Sequence, residues 1–362
     1  MNNKPEHVYY DVQINNFEST GTESQPLRFQ ENRSSALVGK ASDYEMSIVR
    51  FELDTYSLPS WIASIEPEQS DANKMIESVT LEYDGTVVQK YLTFIPTNKH
   101  LAVPNGPAPL QDTNTEYYYC NSFRHYCDLV NNAFAECIVD LKVAHAVALA
   151  DVLAPKLIWN SDSDTASLLV QNLFYNVSLA KPVSVYFNRA LYGKFTSFPA
   201  DKNYGASNGK IYKLNLDDDY GTKNITLDIS GGMIFNKIDQ EYSTIANWSA
   251  VSSIVFTTNS IPIVASQQSE PRVYSSGSVI SSGSAQQYLL VISDMATNDM
   301  VYKPNLLYVP SGEYRLISLN GSSPINDIDV NVYWKDKKGN LNPFYLQSGA
   351  SASIKFYFRL KK

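Results

Sequence analysis

Reactive and charged side chains are scarce in this 362-residue chain. It has four histidines (His7, His100, His125, His145) and three cysteines (Cys120, Cys127, Cys137). Asp, Glu, Lys and Arg together make up 18%, against roughly 25% in an average soluble protein. No G-x-S-x-G elbow, P-loop, G-x-G-x-x-G or H-E-x-x-H occurs, which removes the usual signatures of α/β-hydrolases, nucleotide binders and zinc proteases. Three clustered cysteines without a C-x-x-C make a poor disulfide framework. They read as reduced thiols in a helix, as expected of a protein folded in a reducing cytoplasm. His125 and Cys127 stand two residues apart in that helix and so point to different faces, which argues against a nucleophile–base pair.

Long apolar runs are missing as well. The longest candidate, residues 137–155, is interrupted by Asp140, Lys142, His145 and Asp151, so an ordinary membrane span is not expected. The opening "MNNKPEHVYY" has neither the apolar stretch of a signal peptide nor a basic arm. A net charge of −8 and a pI near 5.1 argue against a sequence-specific nucleic-acid binder. Five N-x-S/T sequons, at Asn32, Asn176, Asn224, Asn247 and Asn320, are expected to be accidental in a chain so rich in Asn, Ser and Thr.

What the chain does have is apolar and aromatic content. Hydrophobic residues are 44%, with 25 Tyr, 15 Phe and 4 Trp, enough for a packed core and too much for global disorder. Tyr favours strands and is enriched at protein interfaces. A surface poor in charge and rich in Tyr suits a subunit largely covered by neighbours.

Most of the sequence alternates with period two, the pattern of half-buried strands. Segments 8–14, 44–53, 78–96, 156–170, 183–195, 210–216, 224–230, 288–295, 313–319, 327–334 and 351–360 read as strands. In the last, Ile354, Phe356, Phe358 and Leu360 share one face. Asp84-Gly85 between two β-rich runs predicts a type I′ hairpin. One helix is expected over 121–141, N-capped by Asn121 or Ser122, with Phe123, Tyr126, Cys127, Val130, Phe134, Cys137, Ile138 and Leu141 on one face. Pro155 lies beyond its end. Frequent turns between short strands predict a sandwich or barrel.

Within this pattern, three phrases recur in order. "SIVRFELDTYSLP" (47–59) is echoed by "SSIVFTTNSIPI" (252–263), "LIWNSDSDTASLL" by "VYWKDKKGNLNPFYL", and "VSVYFNRAL" by "ASIKFYFRL". The ordered set predicts two copies of one β-module, with Ile48-Val49 and Ile254-Val255 on equivalent strands and the helix inserted in the first copy.

Two acidic groups merit weighing as cation sites. Asp162 and Asp164, in "NSDSDT", alternate as in calcium loops, but the Gly and Glu of an EF-hand are missing, so a hairpin turn is expected. Asp217, Asp218 and Asp219 could hold a cation between subunits, although a solvated loop is the simpler reading. No catalytic, cofactor-binding or metal residue is assigned.

The repeated corners, the helix between strands and the terminal "VYWKDKKGNLNPFYL…ASIKFYFRL" resemble jelly-roll capsid proteins of small eukaryotic DNA viruses, of the polinton-like, adintovirus and virophage kind. The resemblance implies an all-β fold of two tandem jelly-roll β-sandwiches: a first within 1–200 carrying the helix near 121–150, connecting strands at 201–234, and a second at 235–362. It further implies a structural, non-enzymatic virion protein made in the host cytoplasm or nucleus. Such a protein self-associates, as a homotrimer in the double jelly-roll lineage, and tiles an icosahedral shell with other capsid subunits. The chain is short for a eukaryotic member, which leaves a minor or penton-type role open. Loops 97–119, 197–209 and 266–287 would contact neighbours. The rival reading is a carbohydrate-binding β-sandwich of a penton, spike or fibre, which exposed Trp61, Trp159, Trp248 or Trp334 would favour. A sandwich glycosidase ranks third.

Overall fold

In the computed structural model, residues 4–17, 25–55, 58–62, 76–95, 119–120, 122–216, 223–227, 233–264, 274–275, 278–279, 290–296, 305–309, 315–337, 339 and 341–362 are described. The Asp217–Asp219 run and most of loops 97–119 and 266–287 lie outside them. The alternating segments are strands, and every pair of strands among the described residues is antiparallel.

The chain divides into two compact units. Unit 1 combines residues 1–59 with 250–362, and unit 2 is the continuous stretch 60–249. This differs from the tandem boundaries 1–200, 201–234 and 235–362. The physical reason lies in strand pairing. His7–Asn15 and Tyr44–Asp54 flank Ser351–Leu360 in one sheet, so the first strands complete a sheet with the last.

The second sheet of unit 1 runs Leu290–Ala296, Val251–Thr258, Asp327–Asp336, Leu341–Pro343, with Arg28–Asn32 also paired to Asp327–Asp336. Phe51 of one sheet touches Phe256 of the other, ring centroids 4.9 Å apart. That contact revises the first echo. Ile48-Val49 and Ile254-Val255 lie on strands of the two different sheets of one unit, not on equivalent strands of two modules. The phrase recurs because both strands supply an apolar inner face to the same core and then turn away. Period-two alternation holds in the closing strand, where Ile354, Phe356 and Phe358 are buried.

The corner after Val251–Thr258 is tied by one carboxylate. Asp329 accepts from the Thr258 hydroxyl, the Asn259 amide (2.7 Å), the Ser260 amide (2.9 Å) and the Ser260 hydroxyl (2.6 Å). Burial alone would raise its pKa, but these hydrogen bonds to the charged form outweigh it and hold the group below its ordinary value.

Unit 2 holds two sheets, ordered Lys223–Leu227, Met233–Asp239, Thr165–Gln171, Lys156–Asn160, and Ala200–Lys202, Tyr212–Leu214, Ser184–Phe187, Ser78–Tyr83, Thr86–Tyr91. The helix, Phe123–Ala144, begins where the sequence places it, with the Ser122 side chain accepting from the His125 amide. All eight expected inward residues are buried, Phe134 completely. The helix packs on both sheets. Phe134 meets Phe187 at 6.1 Å, and the Asn131 amide pairs with both backbone groups of Leu157, at 2.7 and 2.9 Å, as a neighbouring strand would. Asp84 and Gly85 both have positive φ, 48° and 80°, the geometry of the expected type I′ turn.

One long strand expected from alternation is cut short. The run 183–195 is a strand only over Ser184–Phe187. Asn188 then caps a helical turn, Arg189–Tyr192, by accepting from the Leu191 amide. An Asn side chain at an N-cap outweighs the weak strand pattern beyond it.

Candidate assembly surfaces and reactive groups

The groups that could carry chemistry are dispersed or engaged in packing. His7 meets the Tyr357 hydroxyl at 2.7 Å, His125 the Ile95 carbonyl at 2.7 Å and His145 the Thr86 hydroxyl at 2.8 Å; His100 lies outside the described residues. Cys120, Cys127 and Cys137 are free and buried. Burial pushes the Cys127 thiol well up and that of Cys137 up to about 12, so both stay protonated at neutral pH and are poor nucleophiles. With Cys127 on the buried helix face and His125 turned to a carbonyl, the two are not brought together.

Asp162 and Asp164 sit in the turn joining Lys156–Asn160 to Thr165–Gln171. There the Asn160 side chain accepts from the Asp162 amide at 3.0 Å, a local turn bond that explains the Asn-Ser-Asp spelling. Among the described residues no group of three or more His, Cys, Asp or Glu is gathered as a metal site. No helix among them is long and apolar enough to cross a membrane.

The tryptophans are mostly internal. Trp61, Trp248 and Trp334 are buried, and Trp159 is partly covered by stacking on Phe123 at 4.8 Å. Such rings do not offer the exposed sheet-face platform that the rival binding-module reading needs. In unit 2 Trp61 and Tyr126 stand beside a charged pair that no local sequence pattern announced. Glu77 is buried with its Oε1 3.6 Å from Lys194 Nζ, and its Oε2 accepts from the Tyr126 hydroxyl at 2.9 Å. Lys194 Nζ also lies 5.7 Å from the ring centres of Trp61 and Tyr126. Burial raises the Glu77 pKa against the pull of Lys194 and Tyr126. The partners stand more than a hundred residues apart, so no local pattern announces them.

Large apolar side chains reach the surface in both units. On the long helix and the turn after it, Val139, Val143 and Val147 are 61%, 82% and 96% exposed. The spacing of four puts Val139 and Val143 on one helix face. Unit 1 exposes Tyr9, Phe17, Leu307 and Val309. Exposed apolar groups of this kind are what subunit contacts cover.

The chain is similar to the structural protein V19 of Sputnik virophage, 29% identical over 207 residues, covering 55% of this chain and 91% of that protein. It is also similar to the uncharacterized protein V18 of the same virophage, 32% identical over 139 residues, 36% of this chain and 81% of that one. In three dimensions it resembles a chain of the 3.5 Å cryo-EM structure of Sputnik virophage, with a TM-score of 0.79, 26% identity and 99% of both chains covered. The fold also matches the mavirus penton protein crystal structure, with a TM-score of 0.67 at 13% identity over 98% of this chain and 99% of that one. Residues 8–360 match the family described as Sputnik minor capsid protein V18/19; this chain belongs to that family, and is an all-β, jelly-roll structural protein of a viral capsid, located in the virion.

Proposed function

We propose that this chain fills a minor, vertex-type position of an icosahedral shell, acting by self-association and contact with other capsid subunits and catalysing no reaction. The observation that carries this is the match over residues 8–360 to a minor capsid protein family. The fold likeness to a penton protein over nearly the whole chain agrees with it. In this reading unit 1 is the shell-forming jelly roll, and unit 2 is a second β-module inserted between Pro59 and Ala250.

A vertex fixes the stoichiometry by symmetry: one heterologous contact between two complementary patches, repeated head to tail, closes with five copies. The homotrimer implied by the double jelly-roll resemblance drew on two like modules taken three times. That support weakens once the clearest echo lies within a single unit. Net charge of −8 makes like subunits repel, so assembly should strengthen as salt rises through the ~0.1 M range, where screening becomes short-ranged.

Native mass spectrometry of the purified chain across salt concentrations tests this. Pentamers support the vertex position. Trimers return the chain to a hexagonal tile. A monomer at micromolar concentration in every salt removes the self-assembling reading altogether.

A further inference from the structure

Unit 2 carries a cleft of about 710 Å³ between the segments 192–201 and 239–242, with Asn215 on its wall. That volume is within the range of small-ligand sites. Its walls are held by hydrogen bonds before any ligand arrives. The Tyr192 hydroxyl shares its one proton between the Thr196 and Phe198 carbonyls, each at 3.0 Å, and the Glu241 amide donates to the Ser197 carbonyl at 3.1 Å. Beneath them the buried Gln240 side chain accepts from the Ala166 amide at 2.7 Å and donates to the Ser197 and Thr244 hydroxyls at 3.0 Å. A floor so tied keeps its shape when empty.

The lining selects a class of ligand. It contains Asp201, Asp239 and Glu241 and no Lys or Arg, so phosphate, sulfate and sialic acid are repelled. Ionised carboxylates only accept hydrogen bonds, so the ligand must bring donors. Aromatic surface stands beside them: Tyr242 is 58% exposed, and Tyr192 is braced on its other side by Tyr212, centroids 4.0 Å apart and nearly parallel.

A cation would meet the requirement for donors but gains little here. Asp239 is already paired with Lys237 at 2.8 Å, and Asp201 and Glu241 are exposed, where an ion pair contributes about 0–1 kcal/mol. A ring with several hydroxyls on its rim and an apolar C–H face uses the acceptors and the tyrosines together. We propose that this cleft binds a neutral saccharide, with Tyr192 and Tyr242 against the sugar ring and Asp201 and Glu241 accepting from its hydroxyls. The site would give a shell protein an attachment function separate from assembly.

The test applies the full chain to an array of neutral, sialylated and sulfated oligosaccharides, with hexalysine as a cationic competitor. Retention on neutral members is expected, weakened at least tenfold in Tyr242→Ala and severalfold in Asp201→Asn, and unchanged in Tyr204→Ala, an exposed tyrosine outside the cleft. Both cleft residues are exposed, so an unaltered melting temperature should accompany the loss. No retention on neutral glycans, preference for acidic ones, displacement by hexalysine at equal concentration, or indifference to both cleft variants would each overturn the proposal. Oligomeric state, read on the same samples, tells its failure apart from failure of the shell assignment.

Discussion

Units 1 and 2 solve the same problem, closing a two-sheet core, by different means. Unit 1 joins distant segments: the strand His7–Asn15 pairs along its whole length with Ser351–Leu360. Its characteristic polar tie, Asp329 at the corner, is a carboxylate satisfied by neutral donors. Unit 2 is continuous, fills the space between its sheets with a helix, and buries a Glu77–Lys194 pair inside an aromatic cluster. The contrast teaches where a carboxylate belongs. Both groups are buried; with four converging donors the carboxylate keeps its charge, whereas with one hydroxyl and a cation 3.6 Å away it resists ionisation.

The largest effect expected is in the helix of unit 2. Phe134→Ala removes a fully buried ring and should cost about 3–5 kcal/mol, seen as faster hydrogen exchange in peptides of 60–249. Similar loss in peptides of 1–59 and 250–362 would break the division into two units.

Next is the charged pair. Lys194→Met leaves Glu77 buried without its cation and should cost about 3–5 kcal/mol, whereas Glu77→Gln with Lys194→Met together should recover much of it. A double variant no better than the single one would mean that packing of the lysine stem, not its charge, matters there.

At the corner of unit 1, Asp329→Ala strands several donors and should cost about 1–3 kcal/mol. The two carboxylates also respond oppositely to acid. Asp329 has a lowered folded pKa, so its contribution is present above the ordinary carboxylate range and is lost as pH falls through the folded value. Glu77 has a raised folded pKa, so its contribution is full below the ordinary range and is lost as pH rises through the folded value. Exchange measured from pH 7 to pH 3 should show Asp329→Asn flattening the acid loss of unit 1, and Glu77→Gln flattening an acid gain in unit 2. Changes of the same sign for both variants would contradict the assignment.

The smallest effect is at the start of the helix. Ser122→Ala deletes the side-chain bond to the His125 amide and should cost about 1 kcal/mol, measurable as a modest shift in the denaturation midpoint.

Local signals were legible in the residues themselves. Alternation placed most strands, Asp84-Gly85 placed a hairpin, and the 3.6-residue period with Ser122 placed the helix and its buried face, because each depends on neighbours a few positions away. The resemblance to jelly-roll capsid proteins rested on the same local patterns, and it pointed to the right family. Only the tertiary structure decided which strands share a sheet, and so that the chain's first and last segments form one unit, interrupted in sequence by a second. It alone paired Glu77 with Lys194, converged Thr258, Asn259 and Ser260 on Asp329, and assembled a cleft from residues 192–201, 215 and 239–242. The physical reason is common to all of these. Strand pairing, charge pairing and cavity lining depend on distance in space between segments far apart in the chain, and a period of two or 3.6 residues carries no record of which distant segment completes the contact.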